Sequence, residues 1–150
     1  MKIKMEFCGD RLPLVFLGLG IRTASVRNAT SMPLKIYAYE KCGTCRKALK
    51  FLDTQGIDYL AIPILERPPQ KAELKRMLKL HGGEVRRLFN TSGREYKRLK
   101  LKEKLPVLAA SQAIDLLAHN GRLVRRPFLL AGTRGGAVGF NEAGWKDLLK

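Results

Sequence analysis

Cysteine and histidine are scarce in this chain: Cys8, Cys42 and Cys45 are its three cysteines, His81 and His119 its two histidines. An odd, sparse cysteine count excludes the disulfide framework of a small secreted scaffold and fits a reducing, cytoplasmic setting. It also excludes a zinc site, which takes four ligands, because Cys8, His81 and His119 stand at no ligand-like spacing from Cys42 and Cys45. Long apolar runs are missing. The stretch "LPLVFLGLG" has nine residues, far below the ~20 that span a bilayer. It has the length of a signal-peptide core, but Glu6 and Asp10 precede it and no A-x-A-like cleavage site follows, so neither export nor membrane insertion is expected. Acidic residues are few as well, 13 Asp+Glu against 29 Lys+Arg, for a net charge of +16. Nucleic acid, acidic protein surfaces and oxyanions are all compatible with that excess. From Arg67 to Lys104 thirteen Lys/Arg face four Glu, yet the stretch lacks the interleaved aromatics that stack bases. It reads as a solvated helical surface, and direct nucleic-acid binding is not expected. No internal repeat is present.

With 45% hydrophobic residues in 150, the chain can core one compact α/β domain. Residues 1–31 differ in texture from the rest, and the pattern restarts at "MPLKIYAY". The expected organisation is an N-terminal extension over 1–31, with Met32 a candidate start, and a single domain over 32–150.

Within that domain "LKIYAY" (Leu34 to Tyr39) reads as a buried strand. Cys45, Ala48, Leu49 and Leu52 then recur at helical spacing, with Gly56 as a C-cap. "DYLAIPI" (Asp58 to Ile64) predicts a second strand, which Pro63 places at a sheet edge. Pro69 is expected in the first turn of a helix whose inner stripe is Leu74, Met77, Leu78 and His81, closed by Gly82 and Gly83. His81 is then a helix-end residue. "EVRRLF" and "REYKRLKL" predict further helical pieces, and "SQAIDLLAHNG" a helix capped by Ser111 and ended by Gly121. "FLLA" and "AVGF" predict strands around a Gly-rich turn, and Asn141 caps a last helix with Trp145, Leu148 and Leu149 on one side.

The stretch "YEKCGTCRKAL" (Tyr39 to Leu49) sits where the first strand gives way to the first helix. As a purely structural disulfide the pair gains little, because it closes a very short loop. As a reactive pair it has a physical basis. Cys42 precedes the helix, where unpaired backbone N–H groups and the positive dipole end favour a thiolate, and Lys41 and Arg46 add charge. Cys42 is the expected nucleophile. Cys45, one turn further in and more shielded, is the expected resolving thiol for a mixed disulfide or sulfenate. The same helix N-terminus also suits an oxyanion.

"KIYAYEKCGTCRKALKFLDTQGIDY", "ERPPQKAELKRML", "LFNTSGREYKRL", "LPVL" and "LVRRPFLL…AVGFNEAGW" together resemble the ArsC/Spx family of thioredoxin-like proteins over about residues 34–149. The resemblance implies a thioredoxin-like core, a small mixed sheet flanked by helices, with a helical insertion over about 67–120. It implies that Pro127 is the cis-proline beside the active-site cysteine. In the family's arsenate reductases a cysteine attacks arsenate, arginines hold the oxyanion, and glutathione with glutaredoxin recycles the enzyme. Cys42 matches that nucleophile, and Arg126 in "RRP" matches the arginine before the proline. Where the reductases carry an arginine after "ALL" this chain has Asn90, and "GGAVGF" offers no counterpart to their later strand arginine; Arg134 lies too early. Arg87 or Arg94 are candidate substitutes. Spx-type members share CxxC and "RRP", use the cysteines as a redox switch, and bind RNA polymerase.

The residues expected to carry chemistry are thus Cys42, Cys45 and Arg126, with Lys41, Gly43, Thr44, Arg46, Asn90 and Pro127 shaping an oxyanion or substrate site. No metal or bound cofactor is expected, only an external reductant such as glutathione with glutaredoxin, or thioredoxin. Three functions stay open: an arsenate reductase-like thiol-disulfide oxidoreductase, a Spx-like redox-sensing regulator that binds RNA polymerase, and a structural or nucleic-acid-associated protein that kept the fold.

Overall fold

The computed structural model describes residues 34–150. The expectations about the extension over 1–31, its apolar run, Met32 and Cys8 lie outside the described residues. Strand β1 (Lys35–Ala38) leads into helix α1 (Gly43–Thr54) and strand β2 (Leu60–Pro63). Helices α2 (Lys71–Leu80), α3 (Arg94–Arg98), α4 (Leu101–Lys104) and α5 (Ala110–His119) follow, then β3 (Phe128–Leu130), β4 (Gly136–Val138) and α6 (Glu142–Leu149).

The four strands form one mixed sheet in the order β2-β1-β3-β4. β1 and β2 are parallel, β1 and β3 antiparallel, and β3 and β4 antiparallel. A parallel pair needs a crossover, which α1 supplies. Pro63 does lie in an edge strand, paired with Ala38 at the end of the ladder. Alternation along β1 and β3 sorts the core into two layers. Ile36, Ala38 and Leu129 face α1 and α6, against Cys45, Ala48, Leu52 and Trp145. Tyr37, Phe128 and Leu130 face the helices between β2 and β3, against Leu74, Met77, Ile114 and Leu117. Glu73 ties that layer to the sheet: it accepts from Tyr37 Oη at 2.6 Å and from Lys35 Nζ at 3.3 Å.

Several local expectations need correction. Pro69 precedes α2 instead of sitting in its first turn; Gln70 is the N-cap, and its N–H donates to the Glu73 carboxylate at 3.0 Å. "EVRRLF" forms only a 3-10 turn over Val85–Leu88. "REYKRLKL" breaks into α3 and α4 because Lys100 takes a left-handed conformation, φ 52°. Ser111 does not cap α5, whose N-cap is Ala109, with the Ala109 N–H bound by Gln112 Oε1 at 3.2 Å. Gly56, Gly82 and Gly83 have the positive φ that a helix-ending glycine supplies. Gly121 does not, and its role is different: a Cβ there would lie 1.8 Å from the Ile64 carbonyl oxygen. Asn141 occupies the N-cap position of α6, though its side chain makes no capping bond.

Candidate active site

The turn that leaves β1 is closed by the Cys42 N–H donating to the Tyr39 carbonyl at 3.0 Å. Cys42 then sits at the N-cap of α1 with extended backbone angles, φ −94° and ψ 117°. Its side chain is half-buried, whereas Cys45, one turn into the helix, is 0% exposed. Cys45 Sγ accepts a hydrogen bond from the Tyr39 N–H at 3.5 Å.

These placements drive the two thiols apart in acidity. Burial acts to raise Cys42, but it is outweighed by the Cys45 N–H, the Cys45 thiol, the Thr44 N–H and the charge of Arg126, so the Cys42 thiol is held below its ordinary value. Cys45 is pushed up to about 12, first by burial; the Tyr39 N–H opposes, the negative charge and hydrogen bond of Cys42 add, and Arg126 opposes weakly. Cys42 is therefore the more acidic of the two, and the Cys45 thiol, which stays protonated to higher pH, donates to it. The prediction is that Cys42 alkylates with a midpoint below that of a free cysteine measured alongside it, while Cys45 stays unlabelled up to pH 10 in the folded protein. Peptide mass mapping after iodoacetamide pulses across pH checks both.

Arg126 arrives on the chain entering β3, the strand paired next to β1. The antiparallel register pairs Tyr37 with Phe128, and its continuation past Pro127 brings Arg126 opposite Tyr39. The guanidinium lies over the Tyr39 ring, 5.2 Å from its centroid. The Arg126–Pro127 peptide is cis. Asn90 is placed by a latch between two loops. Its N–H donates to the Leu123 carbonyl at 2.7 Å, the Arg125 N–H donates to the Leu88 carbonyl at 2.7 Å, and Phe89 and Val124 form a bridge between them.

The product of these contacts is an open cleft of about 600 Å³ lined by Cys42, Thr44, Asn90, Thr91, Ser92, Arg94, Arg125, Arg126 and Phe140, among others. Of the residues expected from sequence, Cys42, Thr44, Asn90 and Arg126 meet here. Lys41, Gly43 and Arg46 are exposed and do not line the cleft; the cation that lowers Cys42 is Arg126 instead. Pro127 and Cys45 are buried. Arg94 does reach the cleft, but Arg87 does not, being engaged with Glu84 at 2.6 Å. Arg134 donates instead to the Leu149 carbonyl at 3.1 Å. Sequence reasoning missed Arg125, Thr91, Ser92 and Phe140; only Arg125 carried a signal, as the first arginine of "RRP". Among the described residues no three His, Cys, Asp or Glu cluster to hold a metal ion, and no helix is long and apolar enough to cross a membrane.

A small mixed sheet, two cysteines at the start of the first helix and a cis-proline just before β3 define a thioredoxin-like α/β protein with helices between β2 and β3. The ArsC family model matches residues 37–148, and the chain belongs to the ArsC family. It is 44% identical to the uncharacterised protein YusI of Bacillus subtilis, over 74% of this chain and 93% of that one. An arsenate reductase of Rhizobium meliloti matches at 31% identity over 69% of this chain and 74% of that one. The global transcriptional regulator Spx of Lactiplantibacillus plantarum matches at 27%, over 71% and 79%. Among solved structures, an ArsC family related protein from Bacteroides fragilis superposes with TM-score 0.73 at 41% identity, covering 79% of this chain and 98% of that one.

Proposed function

We propose that the chain is a cytoplasmic, arsenate reductase-like thiol-disulfide oxidoreductase with Cys42 as nucleophile and Cys45 as resolving thiol. The observation that carries this reading is the split between the two sulfurs: Cys42 opens on the cleft as the more acidic thiol, and Cys45 lies buried behind it. The Cys42 thiolate attacks one sulfur of a disulfide R–S–S–R, forming a mixed disulfide and expelling RS⁻, which takes a proton from solvent. Cys45 then gives up its proton and attacks Cys42 Sγ, expelling the second thiolate and leaving a Cys42–Cys45 disulfide. Two electrons from an external thiol, glutathione with glutaredoxin or a thioredoxin, restore the dithiol. With arsenate instead, the same thiolate attacks the arsenic of an anion held by Arg126 and Asn90, and the S–As bond forms as one arsenate oxygen leaves, protonated by solvent, as water.

Asn90 replaces a charged, two-pronged donor with a neutral one, which weakens a bound oxyanion. Disulfide-dependent glutathione oxidation is therefore expected to exceed arsenate-dependent oxidation by at least about tenfold. Absence of turnover with both substrates would remove the enzyme reading.

The dithiol and the match to Spx support a second reading, a redox-sensing regulator that binds RNA polymerase. It predicts that purified RNA polymerase retains the reduced and the oxidised protein to different extents. Equal retention, or none, speaks against it.

A further inference from the structure

Tyr39 ties the cysteine turn to the arginine that faces it. Its main chain serves both cysteines: the carbonyl accepts from the Cys42 N–H at 3.0 Å, and the N–H donates to Cys45 Sγ at 3.5 Å. Its side chain serves the arginine. The register that pairs Ile36 with Leu129 and Tyr37 with Phe128, continued past Ala38, sets Tyr39 across from Arg126, and side chains so opposed on an antiparallel pair reach one another. The guanidinium stands over the ring, 5.2 Å from its centroid, where the negative π face attracts a cation.

Nothing acidic competes for that guanidinium. Among the described residues no carboxylate forms an ion pair with Arg126, and none lines the cleft that Arg126 shares with Cys42. The place of this long, rotamer-rich side chain is therefore set by the ring beneath it. The ring is itself held, since Tyr39 is half-buried and packs on the core layer of Phe128 and Leu130.

We propose that Tyr39 is a positioning residue for the nucleophile, acting through Arg126: its ring seats the guanidinium so that the positive charge faces the Cys42 sulfur. The inference deepens the oxidoreductase reading at its nucleophile and depends on no substrate. Without the ring the guanidinium moves among rotamers into water, where its charge is screened, and less of Cys42 is ionised at a given pH.

The test is the pH profile of Cys42 alkylation by iodoacetamide in the reduced full-length protein, read by peptide mapping. Tyr39→Leu keeps apolar packing and loses the π face; it is expected to raise the midpoint by about half a pH unit, a roughly threefold loss of thiolate at a fixed pH below it. Tyr39→Phe keeps the ring and leaves the midpoint in place. Arg126→Ala raises it at least as far, and Tyr39→Leu added to Arg126→Ala moves it no further, because the two side chains act as one unit. Pentafluorophenylalanine at position 39 has nearly the shape of phenylalanine but a reversed π face, so it should raise the midpoint as Tyr39→Leu does and stands in for that variant should it unfold. A midpoint unmoved by both the Tyr39→Leu and the fluorinated ring overturns the inference. So do equal shifts in Tyr39→Phe and Tyr39→Leu, or a Tyr39→Leu shift that persists in full beside Arg126→Ala. The oxidoreductase reading fails separately: absence of turnover in the parent protein, with this midpoint pattern intact, removes that reading and keeps the role of Tyr39.

Discussion

Cys42→Ser is expected to bring disulfide- and arsenate-dependent turnover to background, a loss of at least about 10³-fold, with the fold intact. A serine hydroxyl at this N-cap is no thiolate near neutral pH, and its oxygen cannot form the mixed disulfide on which the proposed exchange depends. The side chain is only half-buried and the backbone angles are those of an ordinary N-cap, where serine is well tolerated. Stability should therefore stay within about 1 kcal/mol of the parent. Steady-state glutathione oxidation and a thermal melt of the same sample separate loss of chemistry from loss of fold. Turnover retained in this variant would mean that another thiol does the work.

Gly121→Ala is expected to cost about 3 kcal/mol or more and lower the melting temperature by roughly 10–20 °C. The added methyl would fall 1.8 Å from the Ile64 carbonyl oxygen and 2.8 Å from its carbonyl carbon. Both are backbone atoms just beyond β2, with no rotamer to move aside. The chain leaving α5 has to retreat, and it carries the Leu123 carbonyl that holds Asn90 and the Val124 bridge to Phe89. The cleft loses its far wall along with stability. Thermal unfolding of Gly121→Ala beside Gly43→Ala, a helix position with nothing within 4 Å of the new Cβ, isolates the steric term; similar melting temperatures for the two would contradict it.

The two predictions mark what the sequence could and could not reveal. Cys42 and Cys45 were legible because their relation is local: residues three apart at a helix start share a face and a dipole whatever the rest of the fold does. The strands were legible from short apolar runs, and Trp145 as core from its helical spacing. The far wall of the cleft was not, because it is assembled by hydrogen bonds between Leu88 to Asn90 and Leu123 to Arg125, a pairing no periodicity announces. Arg126 was reachable only through the family resemblance, and Arg125 went unread beside it. Lys41 and Arg46 are close to Cys42 in sequence but do not line the cleft. On the turn that starts α1 their side chains are exposed, while the effective cation crosses from the start of β3. Gly121 was read as a helix stop from its position after a helix, when the close approach of another backbone segment is what requires it. The break at Lys100 came from a left-handed residue with no glycine or asparagine to signal it.

The proposed exchange requires Cys42 to react first and Cys45 second. Reduced full-length protein mixed with oxidised glutathione, quenched in acid at intervals and mapped by mass spectrometry, shows that order directly. A glutathione adduct on Cys42 is expected first, then its conversion into a Cys42–Cys45 disulfide, with arrest at the adduct in Cys45→Ser. A first adduct on Cys45, or Cys8 reacting while Cys42 stays free, would contradict it.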